Sequence, residues 1–241
     1  MFSIFIVLGI VLPELAAVNP VQAQASSRLN GIDSYSAQVG FVPPASDGAP
    51  RRTRSGATRV PEQCGGLPLL PATGSGLTAS EQLSLYVYFA KGSTVSQAML
   101  SMKTADESEY YETSVSLPQE QFAENGAVVE IKLPETLPNL VAGEDYSWSL
   151  VLMCNGQLRP DSPVLEGGIK RVAAVVSERE GASLAEQAEM YGQAGLWYDW
   201  LSTLALMRTK EPNSAQLIDT WSGILSTVGL EDVAETPLIV H

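Results

Sequence analysis

Histidine is almost missing from this chain of 241 residues: the single one is His241. Triads that need an imidazole base therefore have none in the body of the chain, and histidine metal sites are excluded. No lysine has a serine three residues before it, so a Ser-x-x-Lys dyad is absent too. Cysteine occurs only as Cys64 and Cys154, with no Cys-x-x-Cys pair to carry dithiol chemistry. "TGSGLT" lacks the lysine and the spacing of a phosphate-binding loop, and no dinucleotide fingerprint follows a strand pattern. No cofactor is implied. Positive charge is scarce as well: 14 Lys and Arg face 27 Asp and Glu, for a net charge of −13. Phosphates of nucleic acid or anionic lipid would meet a like-charged surface, which removes them as electrostatic partners.

What is present begins with an apolar run from Phe2 to Leu12, followed by "AAVNPVQAQA". The run has the length of a signal-peptide core and is too short for a membrane span, and small residues allow cleavage after Ala23 or Ala25. No Lys or Arg precedes the run, where a signal peptide carries one. The expectation is a signal peptide over 1–23, a periplasmic or extracellular location, and no transmembrane segment once the signal is removed. An oxidising compartment favours a disulfide between Cys64 and Cys154; two independent buried thiols are the alternative.

Residues 24–62 are rich in Ser, Gly, Pro and Ala without periodicity, and read as a flexible linker. The linker is basic: from Gln24 to Arg59 five basic residues face two acidic ones, among them Arg51, Arg52, Arg54 and Arg59. It is either a tether to an anionic surface or a solvated connection. Inside "GGLPLLPATGSGLT" the letters "LPATG" spell a sortase signal. No apolar stretch with a basic tail follows them, so they read as a turn into the first strand.

From there the pattern has period two. Leu83, Leu85, Val87 and Phe89 alternate with polar or tyrosine positions, and "DYSWSLVLMC" places Tyr146, Trp148, Leu150, Leu152 and Cys154 on one face. Asn155-Gly156 is a two-residue hairpin signal and "TADESE" a polar hairpin loop. Six or so strands over 63–176 predict an antiparallel, Ig-like β-sandwich. The period then changes. Ser183 with Glu186 forms a capping box, a second helix carries Trp197, Trp200 and Leu204, and Pro212 stops it before a third around Trp221. The expectation over 182–236 is a small all-α module of about three helices, tetratricopeptide-like.

Three candidate sites follow. Trp197, Tyr198, Trp200 and Trp221 give the helices a large apolar area, which either forms their core and docks on the sandwich or meets a partner protein. Tyr86 and Tyr88, with Tyr110 and Tyr111, form either a stacking platform for sugar rings or a peptide, or a second buried face covered by the linker or the helices. Asp106, Glu107, Glu109 and Glu112 crowd one hairpin; they read as a solvated acidic turn, with a cation site or a glycosidase carboxylate pair as the alternative. No catalytic or metal-ligating residue is assigned.

Several stretches, in order, carry a resemblance: "RRTRSGATRVPEQC", "LLPATGSGLT", "YSWSLVLMC", "VLEGGIKRV", "YGQAGLWYDWLSTLALMR" and "WSGILSTVGLEDVA". Together they resemble domain of unknown function 928, a family associated with cyanobacteria and exported proteins. The chain departs from the family pattern at Gly168, where "EGWI" is usual, and at Trp200, where a small residue follows "WYD". The resemblance implies export and a β-then-α layout, and carries over no activity, cofactor or site residue. The reading is a non-enzymatic exported protein that interacts with an unidentified envelope protein; its rival is a glycan-binding module or weak carboxylate glycosidase.

Overall fold

A computed structural model describes residues 40–44, 63–173, 181–227, 229–231 and 234–240. The chain divides into two units, Met1–Ser34 and Tyr35–His241, and every described residue belongs to the second. The expected signal peptide, most of the expected linker and His241 lie outside the described residues.

In chain order the strands are β1 (Leu67–Pro68), β2 (Ser75–Thr78), β3 (Ser84–Phe89), β4 (Val95–Thr104) and β5 (Tyr110–Ser116), then, after a short helix α1 (Gln119–Phe122), β6 (Ala127–Lys132), β7 (Asp145–Cys154) and β8 (Val164–Arg171). Helices α2 (Leu184–Gln193), α3 (Trp197–Lys210) and α4 (Ala215–Thr227) follow, and β9 (Leu238–Ile239) comes after them. The period-two runs became strands, most plainly where one face alone is buried, whereas β3 and β6 are buried on both. In β7, Tyr146, Trp148, Leu150 and Leu152 are buried and the residues between them are not. Asn155 and Gly156 take positive φ, 54° and 68°, so the hairpin after β7 turns where the sequence indicates. The Ser183–Glu186 capping box opens α2, and α3 ends at Lys210, ahead of Pro212.

The strands form two sheets, ordered β1-β3-β6-β9 and β2-β8-β7-β4-β5, which share one buried cluster that includes Val87, Phe89, Ile131, Leu100 and Leu150. Within them β2 pairs parallel with β8 and β6 parallel with β9; the remaining ladders are antiparallel. A bond between Cys64 and Cys154, with Cα atoms 5.7 Å apart, ties the segment before β1 to the end of β7. It settles the cysteine alternative in favour of the disulfide.

Two expectations are corrected. The sandwich is not purely antiparallel but built of two mixed sheets, and the helices are not a separate tetratricopeptide-like module. The reason lies in α3, whose buried residues run round most of its circumference, from Trp197 and Tyr198 to Ala205 and Met207. A helix that is apolar on so many sides needs cover from more than one direction. The other helices cover part of it and the sandwich covers the rest. Trp197 Nε1 donates to Leu69 O at 3.1 Å, and Tyr198 Oη donates to Gly168 O at 2.8 Å while accepting from Trp148 Nε1 at 3.2 Å. Gly76 of β2 lies so close that a Cβ there would stand 3.0 Å from Trp197 Cβ, which only glycine permits without a shift. After α4 the chain returns as β9 beside β6, so the helices are an excursion within the sandwich.

Gly40–Pro44, inside the stretch expected to be linker, lies on the helices. Val42 N–H donates to Gly192 O at 2.9 Å, and the Phe41 ring sits 5.1 Å from both Trp197 and Trp200. Gly168 abuts Ser75, and Trp200 packs on Phe41 and beside Gly192.

Candidate functional site

Where α2 and α3 meet the β3–β6 side of the sandwich, a cleft of about 520 Å³ opens. Leu83, Leu133 and Pro134 give it apolar wall; Ser80, Gln82, Ser84, Gln187 and Ser202 give it hydroxyls and side-chain amides; Tyr191, Asp199 and Lys132 complete it. Two carboxylates are buried at its margin, and both are engaged. Asp199, in the first turn of α3, accepts from Ala79 N–H at 3.0 Å and from Ser80 Oγ at 2.5 Å. It thereby fixes the loop after β2 to the helix. Glu130 of β6 accepts from Ser84 Oγ at 2.7 Å and Tyr86 Oη at 3.3 Å, with Lys132 Nζ 4.0 Å away. Buried carboxylates need such partners, because removing an ion from water without them costs several kcal/mol. Desolvation, reinforced by the Glu130 charge, pushes the Tyr86 phenol far above its ordinary value. Arg171 braces the rim by donating to Leu140 O and, at 3.2 Å, to Glu81.

The structure buries most of the sequence-derived aromatic candidates. Trp197, Tyr198, Trp200 and Trp221 are 3%, 3%, 4% and 1% exposed and hold the helices to one another and to the sandwich; Tyr198 also lines the cleft. Tyr86 is 3% exposed, sealed by the hydroxyl of Ser202 on α3, and offers no face to a glycan; Tyr88 and Tyr111 are half-buried and Tyr110 is 60% exposed. The acids of the β4–β5 hairpin are satisfied locally. Asp106 accepts from Thr104 Oγ1 and from the amide and hydroxyl of Ser108, and these bonds hold its carboxyl down to about 2. Glu107 pairs with Lys103, Glu109 accepts from Tyr111 Oη and Glu112 from Tyr110 Oη. Among the described residues no three His, Cys, Asp or Glu side chains converge on a common point that could hold a metal ion.

Asp199, Glu130 and Ser202 were not singled out by sequence. The signal for the two acids was a charge inside an apolar frame, Asp199 in "WYDWL" and Glu130 in "AVVEIK". A carboxylate in such company is either exposed or bonded, and period alone does not say which.

No curated protein matches the chain in sequence. Among solved structures, the fn3 domain of the human collagen alpha-1(XX) chain is matched at 15% identity and a TM-score of 0.25, covering 42% of this chain and 78% of that one. No helix among the described residues is long and apolar enough to cross a membrane. The model of the family described as Domain of Unknown Function (DUF928) matches residues 48–238, and the chain belongs to that family.

Proposed function

We propose that this is an exported, non-enzymatic binding protein of the cell envelope, and that it recognises a segment of another envelope protein in the cleft between the sandwich and α2–α3. The observation that carries the reading is the composition of that cleft. Apolar wall from Leu83, Leu133 and Pro134 can take a side chain, while the amides of Gln82 and Gln187 and the nearby hydroxyls can pair with main-chain groups. The carboxylates Asp199 and Glu130 are occupied as structural acceptors, which supports recognition over acid–base chemistry. The disulfide supports an oxidising compartment, and the Phe2–Leu12 run supports the route to it.

The test is capture from envelope fractions by the native protein and by Gln82→Trp, which crowds the cleft mouth without touching the core. A specific partner retained by the first and lost by the second is expected; equal retention by both removes the cleft from the reading. A glycan site is the second reading, favoured by the Tyr191 ring beside several hydroxyls in the same cleft. Saturable glycan-array binding lost in Gln82→Trp selects it.

A further inference from the structure

A sheet edge carries a row of unpaired main-chain donors and acceptors, and proteins shorten, cover or charge such edges to prevent unwanted pairing. Among the described strands this fold shortens or covers three of its four edges. β1 and β9, at the ends of the first sheet, are two residues long each. β2, at one end of the second sheet, has α3 against it through Gly76, Trp197 and Tyr198. The fourth, β5, is treated differently. It is seven residues long, contains neither proline nor lysine, and pairs with β4 without a bulge from Gln97–Ser116 to Lys103–Tyr110.

The phase of its ladder says which groups face out. Thr104 N–H donates to Glu109 O, and Leu117 N–H to Ser96 O. The residues bonded to β4 are therefore 109, 111, 113, 115 and 117. Tyr110, Glu112, Ser114 and Ser116 turn their N–H and C=O away from the sheet, and all four are exposed, Tyr110 by 60%.

We propose that β5 is a docking edge for an extended, cationic polypeptide segment of a partner, which adds a sixth strand to the second sheet. The charge selects the occupant. Glu112 within the strand and Asp106, Glu107 and Glu109 at its start face one lysine, Lys103, already paired with Glu107. A strand bearing Lys or Arg on alternate positions meets these carboxylates across the new ladder, where opposite charges stabilise and like charges do not. The same charge disfavours a second copy. Antiparallel self-pairing centred on Thr113 makes the two Glu112 side chains diagonal neighbours on one face, in molecules of net charge −13. This surface is separate from the cleft and does not depend on the reading given to it.

The probe is a short labelled peptide alternating lysine with valine, titrated into the full chain and followed by anisotropy, with glutamate in place of lysine as the control. Saturable, salt-sensitive binding of the lysine peptide is expected, with slowed amide exchange at Glu112, Ser114 and Ser116. Ser114→Pro removes one outward N–H that β4 does not use and weakens binding by about tenfold, a loss of about 1.4 kcal/mol. Glu112→Lys, which leaves the main chain intact, does the same through charge. Far-UV circular dichroism confirms that both variants fold. Absence of saturable binding, equal binding of the glutamate peptide, or unchanged affinity in both variants overturns the proposal. So does amide protection of β5 that appears with protein concentration alone, which identifies the occupant as a second copy.

Discussion

Replacing Trp197 by alanine tests whether sandwich and helices form one cooperative structure. The indole is 3% exposed, its Nε1 donates to Leu69 O, and its ring stands 5.1 Å from Phe41 and 5.7 Å from Trp200. Truncating a buried tryptophan costs about 3–5 kcal/mol. The carbonyl of Leu69 also loses its side-chain donor at a buried contact, a penalty of about 1–3 kcal/mol where water cannot replace it. Because the vacated space lies where the segment at Gly40–Pro44 also packs, partial collapse offsets some of this, and about 4 kcal/mol is expected. That is a large share of the roughly 5–15 kcal/mol that holds a domain folded. The assay is urea unfolding followed by far-UV circular dichroism, which sees strands and helices, and by near-UV circular dichroism, which includes the Trp148 environment in the sandwich. One transition, displaced equally in both signals, is expected. Trp197→Phe keeps much of the volume and loses the hydrogen bond, and falls between the two. Two separated transitions, a helical one first and the strands later, would refute the shared core.

Reducing the Cys64–Cys154 bridge, or replacing both residues by serine, opens a loop whose ends are 90 residues apart in sequence. The expected loss is about 4–5 kcal/mol, or roughly 10–15 °C in Tm; an unchanged Tm under reductant refutes the loop-closure argument. Alkali should destabilise the fold through Tyr86 and Tyr198, whose phenols burial holds above the ordinary value of 10.0. The unfolded chain ionises first, so this contribution is intact below about pH 10 and declines as pH rises toward the higher folded values. Tyr198→Phe lowers stability at neutral pH but flattens the alkaline fall; a Tm of the native protein that stays level as the pH is raised well above 10 counts against the assignment.

The strands from β3 to β8 were legible because apolar residues facing the shared core largely alternate with polar or tyrosine residues on the other face, even in β3 and β6, where that other face is buried too. β1, β2 and β9 were not read, since two to four residues cannot display a period, and parallel pairing has no local signature at all. The helices were legible as helices, and the tryptophans as a surplus of apolar area. What covers that area was not: Trp197 finds Leu69, 128 positions earlier, and Tyr198 finds Trp148, and no spacing along the chain encodes those meetings. The same holds for Tyr86. Its place opposite Leu85 and Val87 marks an outer face, but Ser202 arrives from a helix more than a hundred residues later and turns that face inward. The cleft arises from this closure and could not be assembled from any one segment.

The position of β9 bears on the order in which the chain can fold. As a polypeptide emerges from its amino end, Cys64 and Cys154 and all of β1 to β8 become available before the helices do, so the second sheet and its disulfide can assemble early. The first sheet cannot be finished then, because the partner for one side of β6 has not yet been made. β6 must wait with that side unpaired until α2, α3 and α4 have formed and delivered Leu238 and Ile239. A chain cut after α4 would keep the described long strands and helices, yet strip Val128 and Val129 of β6 of their partner and leave that edge open to pairing with whatever strand it met first.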